Sequence, residues 1–146
     1  MSGSIKERRR FNLIFLSLMT SFGLTSMVAD LIKAFTLNFQ DYIFQAFWSS
    51  VITLLFAIIL YAIAKGVKSG NKYMYVIGIP KPKTCLIFIA ILFSGGIVAF
   101  ILYYFLISTL ILWVNLLPLS IFTFGIGGLL TYELLKQRNS GESQLK

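Results

Sequence analysis

The chain has 146 residues, enough for one domain, yet 58% are hydrophobic, 16% aromatic and only 12% charged, against about 25% charged in an ordinary soluble domain. A soluble protein this small has too little interior to hide so many apolar side chains, which excludes an ordinary globular domain. The formal net charge is +8, but the basic residues flank apolar blocks, a pattern that suits membrane orientation and anionic lipid headgroups rather than nucleic acid.

Residues 1–10 form a basic N-terminal segment carrying Arg8, Arg9 and Arg10. The first apolar block, Phe11 to Ala29, has no charge and as a helix measures about 28 Å, close to the hydrocarbon thickness of a bilayer. The basic start followed by an apolar run resembles a secretory signal. Cleavage after Ala29 would set the large Met27 at the −3 position, so an uncleaved first helix over about 11–34 is expected. Asp30 closes this block and Lys33 follows three residues on. A carboxylate at the bilayer centre would cost roughly 2.5–3.5 kcal/mol, and the cost falls toward the interface. The expectation is therefore an interfacial ion pair between Asp30 and Lys33 on one helical face. The alternative has "ADLIK" continue as helix and meet a partner subunit.

The second block, Tyr42 to Ala64, is also uncharged and predicts a helix over 42–64. Residues 65–84 then form a polar loop with five lysines and no acid. Its "KYMYVIG" stretch interleaves aromatic and apolar residues and suits the membrane surface. Pro80 and Pro82 favour an extended course. Arg8, Arg9, Arg10, Lys65, Lys68, Lys72, Lys81 and Lys83 are the candidate contacts to anionic lipid, each contributing about 1 kcal/mol near such a surface.

The 48 uncharged residues from Cys85 to Tyr132 are too long for one span. They predict helices over 85–107 and 114–134, with the turn-favouring Asn115 and Pro118 near their junction. A polar tail, 137–146, follows. The fold class is thus an all-α integral membrane protein, one polytopic domain of 146 residues with four transmembrane helices forming two hairpins in a bundle. With four spans, twelve of the thirteen basic residues fall on one side. The positive-inside rule then sets both termini in the cytoplasm, with the plasma (inner) membrane as the expected location. A three-span or five-span chain would split the basic loop from the basic C-terminal segment.

Helices in lipid associate through close packing, and small residues four apart permit it. The candidate packing or partner faces are Ser17, Ser21 and Thr25 in helix one, and Ser49, Thr53 and Ala57 in helix two. Gly95 and Ala99 serve in helix three, and Thr123, Gly125, Gly127 and Gly128 in helix four.

Five acids, one cysteine and no histidine form no catalytic set and no metal-ligand cluster. No cofactor and no enzymatic activity are expected. Cys85 reads as a small buried or interfacial residue, with a palmitoylated thiol as the alternative. The expected function is a non-catalytic structural or accessory subunit of a larger membrane complex. Its partners would be the bilayer, other membrane subunits or further copies of the chain, and not nucleic acid. The alternative is a small oligomeric transporter or channel with a pathway lined by Ser, Thr and Gly.

Overall fold

The computed structural model describes residues 4–66, 68–69, 72–73, 77–106 and 109–143. The first helix, α1, spans Ile5–Thr36. It starts earlier than the apolar block because Ser4 and Glu7 form a reciprocal capping box. The Glu7 N–H donates to Ser4 Oγ at 3.3 Å, and the Ser4 N–H donates to Glu7 Oε2 at 2.8 Å. Two of the otherwise orphaned N–H groups at the helix start are thereby satisfied.

Helix α2 spans Phe39–Lys65, with the Asn38 side chain accepting from the Gln40 N–H at its start. Gly66 ends it at a φ of 73°, a left-handed conformation that glycine adopts without a Cβ penalty. The Arg9 guanidinium donates to the Ile63 and Ala64 carbonyls at 3.3 and 2.6 Å, so a charge from α1 caps the electronegative end of α2. Beyond it, Lys68 pairs with Tyr73 and Ser69 with Lys72 in a two-residue antiparallel ladder.

Helix α3 spans Pro82–Leu106, and α4 begins at Thr109 and runs to Ser120. A π-helical stretch, Ile121–Ile126, leads into α5, Gly127–Ser143. The chain is therefore all-helical in its main elements. Among the described residues, four stretches are long and apolar enough to cross a membrane: Ile5–Thr36, Phe39–Lys65, Pro82–Leu102 and Val114–Ser140.

One expected boundary moves. The helix expected to start at about residue 114 starts at Thr109, so Asn115 and Pro118, expected in its first turn, lie further inside it. Pro118 lacks the N–H that would bond one turn back. The backbone after it widens into the π stretch, the kind of local adjustment that lets membrane helices carry proline.

Helix α1 is central. It packs along α2 on one side and against α4 and the π stretch on the other, while α3 packs on α4 and α5. Hydrogen bonds and an ion pair gather the basic residues at one end. Lys136 Nζ lies 2.6 Å from Glu7 Oε1, beside the Arg9 cap on α2. The main buried cluster is at this end too, built from Phe11, Ile79, Cys85, Ile126, Leu129 and Leu130.

Ile79, just past the stretch read as suiting the membrane surface, is 5% exposed, and two residues before it Asn12 holds the chain. The fully buried Asn12 amide donates from Nδ2 to the Ile77 carbonyl at 2.6 Å and accepts from the Ile77 N–H at 3.0 Å. This peptide-like pairing satisfies backbone groups that would otherwise be costly to bury. Gln137 Nε2 adds a bond to the Pro80 carbonyl at 3.0 Å.

Candidate functional site

At the end of the protein opposite the basic cluster, three helices meet through polar side chains. Asp30 and Lys33 sit on consecutive turns of α1, and Lys33 Nζ lies 2.7 Å from Asp30 Oδ1. Ser49 of α2 donates to Asp30 Oδ2 at 3.0 Å. Asn115 of α4 accepts from Lys33 Nζ through Oδ1 at 3.2 Å. The ammonium also stands 5.1 Å from the centre of the Tyr42 ring, within reach of a cation–π attraction.

The ion pair expected from sequence forms, and it is buried among the helices, with Asp30 8% and Lys33 7% exposed. The helix runs on to Thr36, which keeps both side chains on the face covered by α2 and α4. Nineteen residues separate Phe11 from Asp30 and fifteen separate Ser49 from Ala64. The junction thus lies about 22–28 Å along the helices from the basic end. A buried charge needs a partner and hydrogen bonds for its remaining lone pairs and protons. Here the partner comes from the same helix and the hydrogen bonds from the neighbouring two, so the pair ties α1, α2 and α4 together.

Beside the junction is a cavity of about 470 Å³. Its wall is polar at one end, where Ser26, Asp30, Ser49 and Asn115 contribute, and apolar at the other, with Met19, Phe22, Ile52 and Phe56. Asp30 is part of this wall and Lys33 is not, although its ammonium bonds both Asp30 and the wall residue Asn115. The Phe22 ring is held against Phe122, with centroids 5.0 Å apart. A second, more apolar cavity of about 330 Å³ lies between α3 and the π stretch, bordered by Phe93, Phe100 and Phe124.

The small residues divide into those facing another helix and those facing outward. Ser49 reaches Asp30. Thr53 faces Gly23, where an added Cβ would come 3.2 Å from the Thr53 Cβ and collide with its hydroxyl. Gly23 was not among the sequence candidates, because its partner lies across the helix pair rather than four residues along. Ala57 is half-buried and Ala99 likewise. On Gly125 a Cβ would meet Leu18 at 2.9 Å, and on Gly127 it would meet Phe93 at 3.1 Å. Buried Thr123 faces Gly96. By contrast, Gly95 and Gly128 have nothing within 4 Å of an added Cβ. Ser17 and Ser21 are exposed, and Thr25 is half-buried. The Ser17 and Thr25 hydroxyls donate to carbonyls of their own helix, Leu13 and Ser21.

Among the candidate lipid contacts, Arg9, Arg10, Lys65, Lys81 and Lys83 are exposed and Arg8 is half-buried. Arg10 and Lys65 lie over the Tyr132 and Tyr61 rings, 5.9 and 4.7 Å from their centres. The side chains of Lys68 and Lys72 fall outside the described residues. Cys85 is fully buried, its Sγ 3.6 Å from the Pro80 carbonyl. Among the described residues no three His, Cys, Asp or Glu side chains cluster as a metal site would require.

Compared with known proteins, the chain matches no family model, no curated relative and no solved structure.

Proposed function

We infer that the chain is a non-catalytic structural or accessory subunit of a larger membrane assembly, seated in the plasma (inner) membrane with its basic end in the cytoplasm. The observation that carries this reading is the uncovered surface of α3. Only 6% of its most apolar window is buried, against 33% for the span formed by α4 and α5, so α3 is the helix with most surface to offer. On that surface Ser94 and Gly95 are exposed, with open space around Gly95. A glycine facing lipid gains no packing and costs about 1 kcal/mol of helix propensity relative to alanine. Facing another helix, the same glycine permits close approach. The orientation is supported by the gathering of Arg9, Lys65 and Lys136 at one end and by the positive-inside rule. Extraction in a mild detergent followed by native mass spectrometry tests the reading. A stoichiometric second membrane protein is expected, and a chain that comes out alone contradicts it.

A second reading, a small oligomeric transporter or channel, is favoured by one observation, the cavity walled by Ser26, Asp30, Ser49 and Asn115. Flux assays on reconstituted oligomers across ions and small solutes test it, and inert liposomes would remove it.

A further inference from the structure

The geometry points to a binding site for a lipophilic organic cation, an ammonium attached to an apolar or aromatic body, in the cavity beside Asp30. The site goes beyond the subunit reading, which would stand unchanged if the cavity bound nothing.

The argument runs through what each end of the cavity offers. At the polar end, the Asp30 carboxylate accepts one hydrogen bond on each oxygen, from Lys33 and from Ser49. A carboxylate has about four lone-pair sites, so acceptor capacity remains on the cavity side. The Ser49 and Ser26 hydroxyl oxygens add further acceptors on the same wall. An anion is disfavoured there, because among the described residues the wall carries the Asp30 carboxylate and no lysine or arginine. A divalent metal ion favours several carboxylates or carbonyls, and the wall supplies one carboxylate, from Asp30.

At the other end, Phe22 and Phe56 present aromatic rings alongside Met19 and Ile52. Rings attract a nearby cation through their negative faces, and their carbon bodies pack on apolar groups. A bare sodium ion would use the oxygens and leave this half of the wall in contact with nothing. An organic cation uses both halves at once. The volume of about 470 Å³ falls within the usual range for small-molecule sites. Lys33 then has a second role. It competes electrostatically with an incoming cation, since both are drawn to the same carboxylate.

Benzylammonium is the probe, titrated into the purified full chain in detergent and followed by calorimetry, with detergent alone as blank. Benzenesulfonate, an anion of similar size, and sodium chloride are the comparison ligands. Saturable binding of the ammonium and none of the sulfonate is expected. Asp30→Asn should weaken binding by at least about tenfold, the scale of a lost charge-assisted bond. Phe56→Leu should weaken it by about three- to tenfold, the scale of one aromatic pair with the ligand's ring. Lys33→Gln should bind the ammonium more tightly than the native chain, and the ammonium should raise its melting temperature more than that of the native chain. Phe56 lies away from the ion pair, so that variant decides the matter even if the charge variants fold poorly. No saturable ammonium binding would overturn the assignment. So would equal binding of sulfonate, sodium binding without ammonium binding, or native affinity in both Asp30→Asn and Phe56→Leu.

Discussion

Replacing Lys33 with methionine removes the ammonium that lies 2.7 Å from Asp30 Oδ1 and leaves the carboxylate with the Ser49 hydroxyl. Asp30 is 8% exposed, so bulk water replaces the missing cation only in part, through the adjacent cavity. Removing one partner of a buried ion pair costs about 3–5 kcal/mol. The remaining Ser49 bond and the adjacent cavity set the expectation at the low end, about 3 kcal/mol. That is a large share of a typical domain stability of about 5–15 kcal/mol. Asp30→Leu strands the opposite charge. Its ammonium keeps Asn115 and the Tyr42 ring, so a loss of about 2–3 kcal/mol is expected. Removing both charges together should bring stability back to within about 1 kcal/mol of the native chain, since apolar replacements of a buried pair are often neutral. The assay is a double-mutant cycle by reversible unfolding in mixed micelles with rising denaturing detergent, followed by tryptophan fluorescence. Additivity of the two single changes to within about 0.5 kcal/mol would refute the reasoning. It would mean that the two charges are solvated and do not depend on each other.

Other consequences follow from the same contacts. Gly23→Val drives a side chain into Thr53 and should cost about 1–3 kcal/mol as overpacking, whereas Gly128→Ala meets open space and should leave stability unchanged or raise it by up to about 1 kcal/mol. The same unfolding assay reads both. Asn12→Leu leaves the Ile77 N–H and carbonyl without the Asn12 amide and should cost about 1–3 kcal/mol. Hydrogen exchange at the Ile77 amide should then speed up markedly more than at Leu16 in mid-helix. Ser49→Ala removes one interhelical bond to Asp30. It should cost only about 0.6–2 kcal/mol, the range for polar contacts between membrane helices.

The spans were legible because length and charge decide them. An uncharged run such as Tyr42–Ala64 admits few readings other than a crossing helix. The capping box was equally present in sequence, as Ser4 and Glu7 three apart ahead of an apolar run, and it extends α1 by a turn and more. The fourth helix starts earlier than its turn-favouring residues suggest, for a physical reason. Asn115 and Pro118 favour turns in isolation, but inside a protein the Asn115 amide finds Lys33, and the π stretch accommodates the proline. Tertiary partners override local preference there.

The polar junction was half legible. Asp30 and Lys33 lie three residues apart, so their pairing follows from helix geometry alone. Their burial does not, because it depends on Ser49, Tyr42 and Asn115 arriving from two other helices, at separations no periodicity encodes. Gly23 and Gly96 were missed for the same reason. Their need for smallness comes from Thr53 and Thr123 across an interface, while spacing along one helix selects residues such as Gly95, whose added Cβ would meet nothing within 4 Å among the described residues. That contrast turns the outward glycines into the feature that bears on partners.

A photoreactive amino acid placed at Gly95, in the chain expressed in its native membrane, addresses the central claim most directly. The same group at Leu55, an exposed position on α2, is the reference. If the chain is an accessory subunit docked through α3, illumination should link position 95 to one other membrane protein in good yield, with position 55 giving mainly lipid adducts. Lipid adducts alone at both positions would contradict the account.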